Sequence, residues 1–107
     1  MNTSPPLVCN MDVFTPAQRD THILKTTQLF KSVGVVREVE GGFDFTFPKE
    51  SGFFPPIAEF IANERLCCPF LTFTLSVVSN HETVSLSLTG PVGTKDFLRT
   101  EFDGAIP

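Results

Sequence analysis

The chain has 107 residues and a formal charge of −4 with a pI near 5.0, a size that suits one domain over residues 1–107 built on a single core. Its 41% hydrophobic and 19% charged residues describe a globular rather than a disordered composition. The acidic balance, with no basic stripe, argues against nucleic acid as a partner, and no apolar run approaches the roughly 20 residues of a membrane helix.

Residues 1–6 lack the basic and apolar regions of a signal peptide, so a cytoplasmic setting is expected. Twelve phenylalanines stand beside no Trp and no Tyr, which makes a core of rings without polar handles. The cysteines are odd in number, Cys9, Cys67 and Cys68, and without an export signal reduced thiols are the default.

In chain order, Leu7 to Val13 reads as a weak strand carrying Cys9. Thr15-Pro16-Ala17-Gln18 is a helix start: Thr15 caps, Pro16 suits the first helical position and Gln18 completes a capping box. The helix runs to about Ser32, with His22, Ile23, Thr26, Leu29, Phe30 and Val33 on one stripe, and Gly34 closes it. His22, on or beside that stripe, reads as a packed or half-exposed histidine rather than a ligand.

Val35 to Glu40 and Phe43 to Pro48 are expected to form a hairpin. A three-residue loop, Glu40-Gly41-Gly42, pairs Val39 with Phe43, Arg37 with Phe45 and Val35 with Phe47, and asks for a left-handed residue at Gly42. Pro55-Pro56 starts a second helix with Ile57, Phe60, Ile61 and Glu64 on its apolar face, and Pro69 ends it at Cys68. Glu64 is the one charge on that face.

From Phe70 to Ser79, Leu71, Phe73, Leu75 and Val77 alternate inward against Thr72, Thr74 and Ser76. Asn80-His81-Glu82 turns the chain, leaving His81 exposed, and Val84, Leu86 and Leu88 face inward on the returning strand. Thr94 is expected to cap a last helix that buries Phe97, Leu98 and Phe102. Thr89 to Lys95 joins a strand to a helix but has only two residues between Gly90 and Gly93, so it is not a phosphate loop.

The pattern as a whole predicts an α+β, two-layer fold, with a mostly antiparallel sheet of four or five strands, three helices and two hairpin–helix units.

Chemistry concentrates in Asn63-Glu64-Arg65-Leu66-Cys67-Cys68-Pro69-Phe70. Adjacent helical residues point about 100 degrees apart, so Cys67 and Cys68 share an ion only where the helix ends. Glu64 lies three and four residues before them, which puts a carboxylate and a thiol on one face. A soft ion such as zinc, copper or mercury needs two or three thiolates, and Cys9 is the remaining supplier.

A helix C-terminus raises rather than lowers a thiol pKa. Arg65 offsets this only if it turns inward. A Cys67–Cys68 disulfide would be strained, and a bridge to Cys9 or no bridge is expected ahead of it.

Glu64-Arg65-Leu66-Cys67-Cys68-Pro69-Phe70, with Cys9, Thr15-Pro16-Ala17-Gln18-Arg19, Leu88-Thr89-Gly90-Pro91 and Lys95-Asp96-Phe97-Leu98, resembles a family of small bacterial proteins over nearly the whole chain. That resemblance implies membership and no activity. The repeated hairpin–helix pattern is also similar to alkylmercury lyase and copper-chaperone architectures, where cysteines meet a soft metal. Alkylmercury lyase pairs well-separated cysteines with an aspartate, whereas Cys9, Cys67, Cys68 and Glu64 here depart from that set, so the reaction is not carried over.

The leading expectation is therefore a site for a soft metal or a thiol-reactive small ligand at Cys9, Cys67 and Cys68, supported by Glu64 and Arg65. No catalytic residue is assigned, because no nucleophile with a base and an orienting partner is visible. The alternative is a noncatalytic homodimer or partner-binding module with packing cysteines, which exposed Phe53, Phe54 or Phe70 would favour. Proximity of Cys9 to the Cys67-Cys68 corner is the deciding distance: within ~7 Å between α-carbons, a bridge or a shared ion becomes feasible.

Overall fold

Strict alternation of apolar and hydroxyl side chains in the later half of the chain, and of phenylalanine with polar residues in the earlier half, builds one antiparallel sheet. The computed structural model describes residues 7–49, 52 and 54–106. In chain order come a 3-10 turn at Met11–Val13, α1 (Pro16–Phe30), β1 (Val36–Val39), β2 (Gly42–Pro48), α2 (Phe54–Cys67), β3 (Thr72–Val77), β4 (Thr83–Thr89) and α3 (Thr94–Glu101). The strands lie in the order β1-β2-β4-β3, so the two hairpin–helix units join through their second strands. The α+β expectation holds.

β2 and β4 are paired so that Phe43 faces Leu88, Phe45 faces Leu86 and Phe47 faces Val84. All six are buried on the helix side. The other face carries Asp44, which meets Arg37 at 3.0 Å and accepts from the Ser87 hydroxyl. One apolar and one hydrated face is the expected result of a period of two in an antiparallel sheet.

Phe30, the last residue of α1, holds the layers together. Its ring lies 5.1 Å from Phe45, 5.7 Å from Phe47, 5.1 Å from Phe60 and 4.5 Å from Phe102, centroid to centroid. Three of these contacts are edge-on, the arrangement that ring quadrupoles favour. The start of α1 is as expected: the Thr15 side chain accepts from Gln18 N, and Thr15 N donates to the Gln18 side chain.

Several details differ from the sequence reading. Leu7 to Val13 forms no strand; Asn10 caps the 3-10 turn, and its backbone N donates to Cys67 O at 2.7 Å. The segment's backbone is thus satisfied by the end of α2 rather than by a sheet.

In the first hairpin the loop is two residues, Glu40-Gly41, and the register is Val39↔Gly42, Glu38↔Phe43, Arg37↔Asp44 and Val36↔Phe45. This puts Glu38 on the helix side, where Lys95 and Arg99 of α3 meet it at 2.8 and 3.2 Å. Gly41, with φ 80°, is the left-handed residue. Gly42 is needed for space instead, since a Cβ there would lie 1.8 Å from Leu88 O.

Gly93, with φ 99°, takes the cap position of α3, and the Thr94 hydroxyl instead donates to Pro91 O at 2.6 Å. On α1, Ile23 faces solvent despite its place on the stripe. Leu75 and Val77 of β3 are 39% and 49% exposed, because the helix layer stops short of them.

The ring cluster and the Gly42 contact make a joint prediction. Phe30→Ala should lower unfolding free energy by about 3–5 kcal/mol, and Gly42→Ala by about 1–3 kcal/mol or more through overpacking, both measured by urea denaturation. A change below 1 kcal/mol at Phe30, as an order of magnitude, would contradict the packing described.

Candidate functional site

The last turn of α2 carries Glu64 and Cys67 on its buried face, and Pro69 takes Cys68 out of the helix. Cys68 N still donates to Glu64 O at 2.7 Å, which keeps the corner tight. The Asn10 N to Cys67 O bond lays the Cys9 segment across this helix end, using one of the carbonyls that a terminating helix leaves open.

Cys9 and Cys68 are joined by a disulfide, with their α-carbons 4.7 Å apart. The default of three reduced thiols is corrected here: the backbone contact at Asn10 brings Cys9 within bonding range. Cys67 is free and fully buried. Its Sγ lies 3.8 Å from Cys68 Sγ and 3.2 Å from Glu64 Oε1.

The single Cys67 S–H is donated to Glu64 Oε1, the shorter contact, and Cys68 Sγ, which carries no proton in the bridge, is a close sulfur neighbour. Donor atoms of Cys9, Glu64, Cys67 and Cys68 all lie within 4.8 Å of one another.

Glu64 is 3% exposed and His22 is 7% exposed. His22 Nε2 lies 3.0 Å from Glu64 Oε1, the oxygen that also receives the Cys67 thiol. With a carboxylate as acceptor, the Nε2–H form of the imidazole makes this bond. His22 is packed between Phe14 and Phe60, with centroids 5.3 and 6.2 Å away. Of the packed and half-exposed alternatives for His22 the structure has the packed one, and it adds the bond to Glu64.

The electrostatics follow from this crowding. Burial, then the Glu64 charge, then the hydrogen bond to that carboxylate push the Cys67 thiol from 9.0 up to about 12. Glu101, at the end of α3, was not expected from the sequence. Its Oε1 lies 3.8 Å from Cys9 Sγ, and burial followed by the Glu64 charge raises its carboxyl above the usual range.

A cavity of about 110 Å³ is lined by His22, Thr26, Glu64 and Glu101 among others. His22 and Thr26 also line a larger cleft of about 870 Å³ between α1 and α2. Arg65, by contrast, is exposed and takes part in no ion pair among the described residues, so the structure does not bring it to the site.

No known protein family, curated protein or solved structure matches the chain. The fold and the site define an α+β domain with a buried cluster of cysteine and glutamate side chains that could hold a metal ion. No helix among the described residues is long and apolar enough to cross a membrane.

A raised thiol pKa has a definite consequence for stability. The unfolded chain loses the Cys67 proton near 9.0 while the folded chain keeps it to about 12. The stabilisation is therefore complete below pH 9.0 and is lost as pH rises toward 12. Urea midpoints of the disulfide-bonded protein should fall across that window, and Cys67→Ala should flatten the decline; an unchanged slope in the variant would refute the assignment.

Proposed function

We propose that the protein binds one soft metal ion, zinc, copper(I) or mercury(II), through Cys9, Cys67 and Cys68 once the Cys9–Cys68 bridge is reduced, with Glu64 as a fourth donor or charge partner. The observation that carries this reading is the convergence of those four side chains within 4.8 Å in a buried corner. Thiolates are soft ligands, and three of them with one carboxylate suit a tetrahedral d¹⁰ ion.

A dithiol reductant supplies two electrons and two protons to the bridge and is itself oxidised to a disulfide, leaving three thiols in the corner. The ion then displaces protons from the thiols it binds, so affinity rises with pH. Glu64 lies next to Cys67, and its charge, which opposes an isolated thiolate, favours the cation. His22, bonded to Glu64, orients the carboxylate as an outer partner.

A structural role for the cysteines is the rival reading. The disulfide observation favours it, since a bridge closing a separation of 59 residues stabilises the fold by about 4 kcal/mol in the chain-entropy account. Both readings are separable by experiment.

Native mass spectrometry of reduced protein with each ion should show one bound equivalent, and disulfide-bonded protein should show none. Cys9→Ser, Cys67→Ser and Cys68→Ser should each remove tight binding. His22→Ala should weaken it by about 10–100-fold. Reduced, folded protein that takes up no ion, or cysteine variants that bind like wild type, would leave only the structural role.

A further inference from the structure

The two edges of the sheet are unlike. β1 is short and carries Arg37 and Glu38, tied by ion pairs to Asp44 and to Lys95 and Arg99. β3, Thr72-Phe73-Thr74-Leu75-Ser76-Val77, has no charge and no proline, and its pairing with β4 is unbroken from Thr72 to Val77. Its outer edge has no partner among the described residues. Charges, prolines and bulges are the devices that keep free edges apart, and β3 has none of them.

Its helix-side residues are also uncovered at one end. α2 covers Phe73, whose ring lies 6.2 Å from Phe60. Beyond it, Leu75 and Val77 are 39% and 49% exposed.

An antiparallel copy of the same strand answers this asymmetry, because reversal places the helix-covered Phe73 of one copy beside the bare Val77 of the other. Face to face, the alternation also matches: apolar residues meet apolar residues on the helix side, and hydroxyls meet hydroxyls on the other.

We propose that β3 is the interface of a homodimer in which two copies pair their β3 strands antiparallel about a two-fold axis at Leu75. The register sets Leu75 against Leu75 of the second copy, Phe73 against Val77 and Thr74 against Ser76. The two four-stranded sheets become one continuous sheet, and its remaining edges are the charged β1 strands, so assembly closes at two copies. Side-chain pairs across the new ladder and the burial of Leu75 and Val77 stabilise it.

Sedimentation velocity of the full chain across a dilution series should show a dimer that gives way to monomer. Leu75→Lys and Val77→Lys, at side chains already half in solvent, should raise the dissociation constant by roughly tenfold or more with an unchanged far-UV circular dichroism spectrum.

Wild-type protein needs no variant for the second measurement. In mixed labelled and unlabelled samples, an intermolecular NOE should link the Phe73 ring to Val77 methyls, which lie about 13 Å apart along one strand and cannot meet within a copy. A chain monomeric throughout, folded lysine variants that dimerise like wild type, or intermolecular NOEs confined to another surface would each overturn the proposal. None of these outcomes bears on metal binding by the cysteine cluster.

Discussion

The structure depends most on how a carboxylate is kept inside a phenylalanine core. Glu64 lies on the buried face of α2 with 3% exposure, where an unpaired charge would be strongly destabilising. The solution is local: His22 from α1 and the Cys67 thiol both reach one oxygen of Glu64, at 3.0 and 3.2 Å. Those two contacts fix the rotation of α1 on α2 and the direction of the last helical turn. A residue that looks misplaced on an apolar stripe is thus the point at which two helices and the cysteine corner are registered.

From that point the cysteine geometry follows. The helix must end at Cys68 because of Pro69, its open carbonyl at Cys67 is taken by Asn10 N, and Cys9 is drawn against Cys68. The phenylalanine side chains themselves supply no donor to this chemistry. Phe30, Phe45, Phe47, Phe60 and Phe102 pack ring against ring with no polar atom to satisfy, so the polar and sulfur groups are gathered at one margin of the layer.

Much of this was legible in the sequence, for physical reasons that can be named. The Thr15 capping box is a local interaction, complete within four residues. The alternation on β2 and β4 and the Pro69 stop are local as well, and they carry the α+β architecture. The first hairpin departs from the sequence expectation because hydrophobic matching alone places Glu38 away from the phenylalanines, whereas Lys95 and Arg99 of α3 receive it on the helix side.

Long-range contacts explain the remaining gaps. Cys9 was expected in a strand because an apolar run does not reveal that a helix end will accept its hydrogen bond. Glu101 gave no signal in a short charged helix, and Arg65 gave a false one because adjacent helical residues point apart and Glu64 took the inner position.

The disulfide and the proposed metal-bound state answer the same electrostatic problem. Half-buried Cys9 and buried Cys67 and Cys68 lie beside Glu64, and burial and the Glu64 charge keep the Cys67 thiol protonated to about 12. Oxidation removes two of the titratable groups by joining Cys9 to Cys68, and leaves Cys67 neutral and hydrogen-bonded. A cation instead supplies positive charge to the same corner, which stabilises thiolates that burial and Glu64 would otherwise forbid.

Besides the bridge, the corner is held by the Glu64–His22 pair and by the backbone bonds from Asn10 N to Cys67 O and from Cys68 N to Glu64 O. Under the proposed function, bridge and ion compete because both require the sulfurs of Cys9 and Cys68.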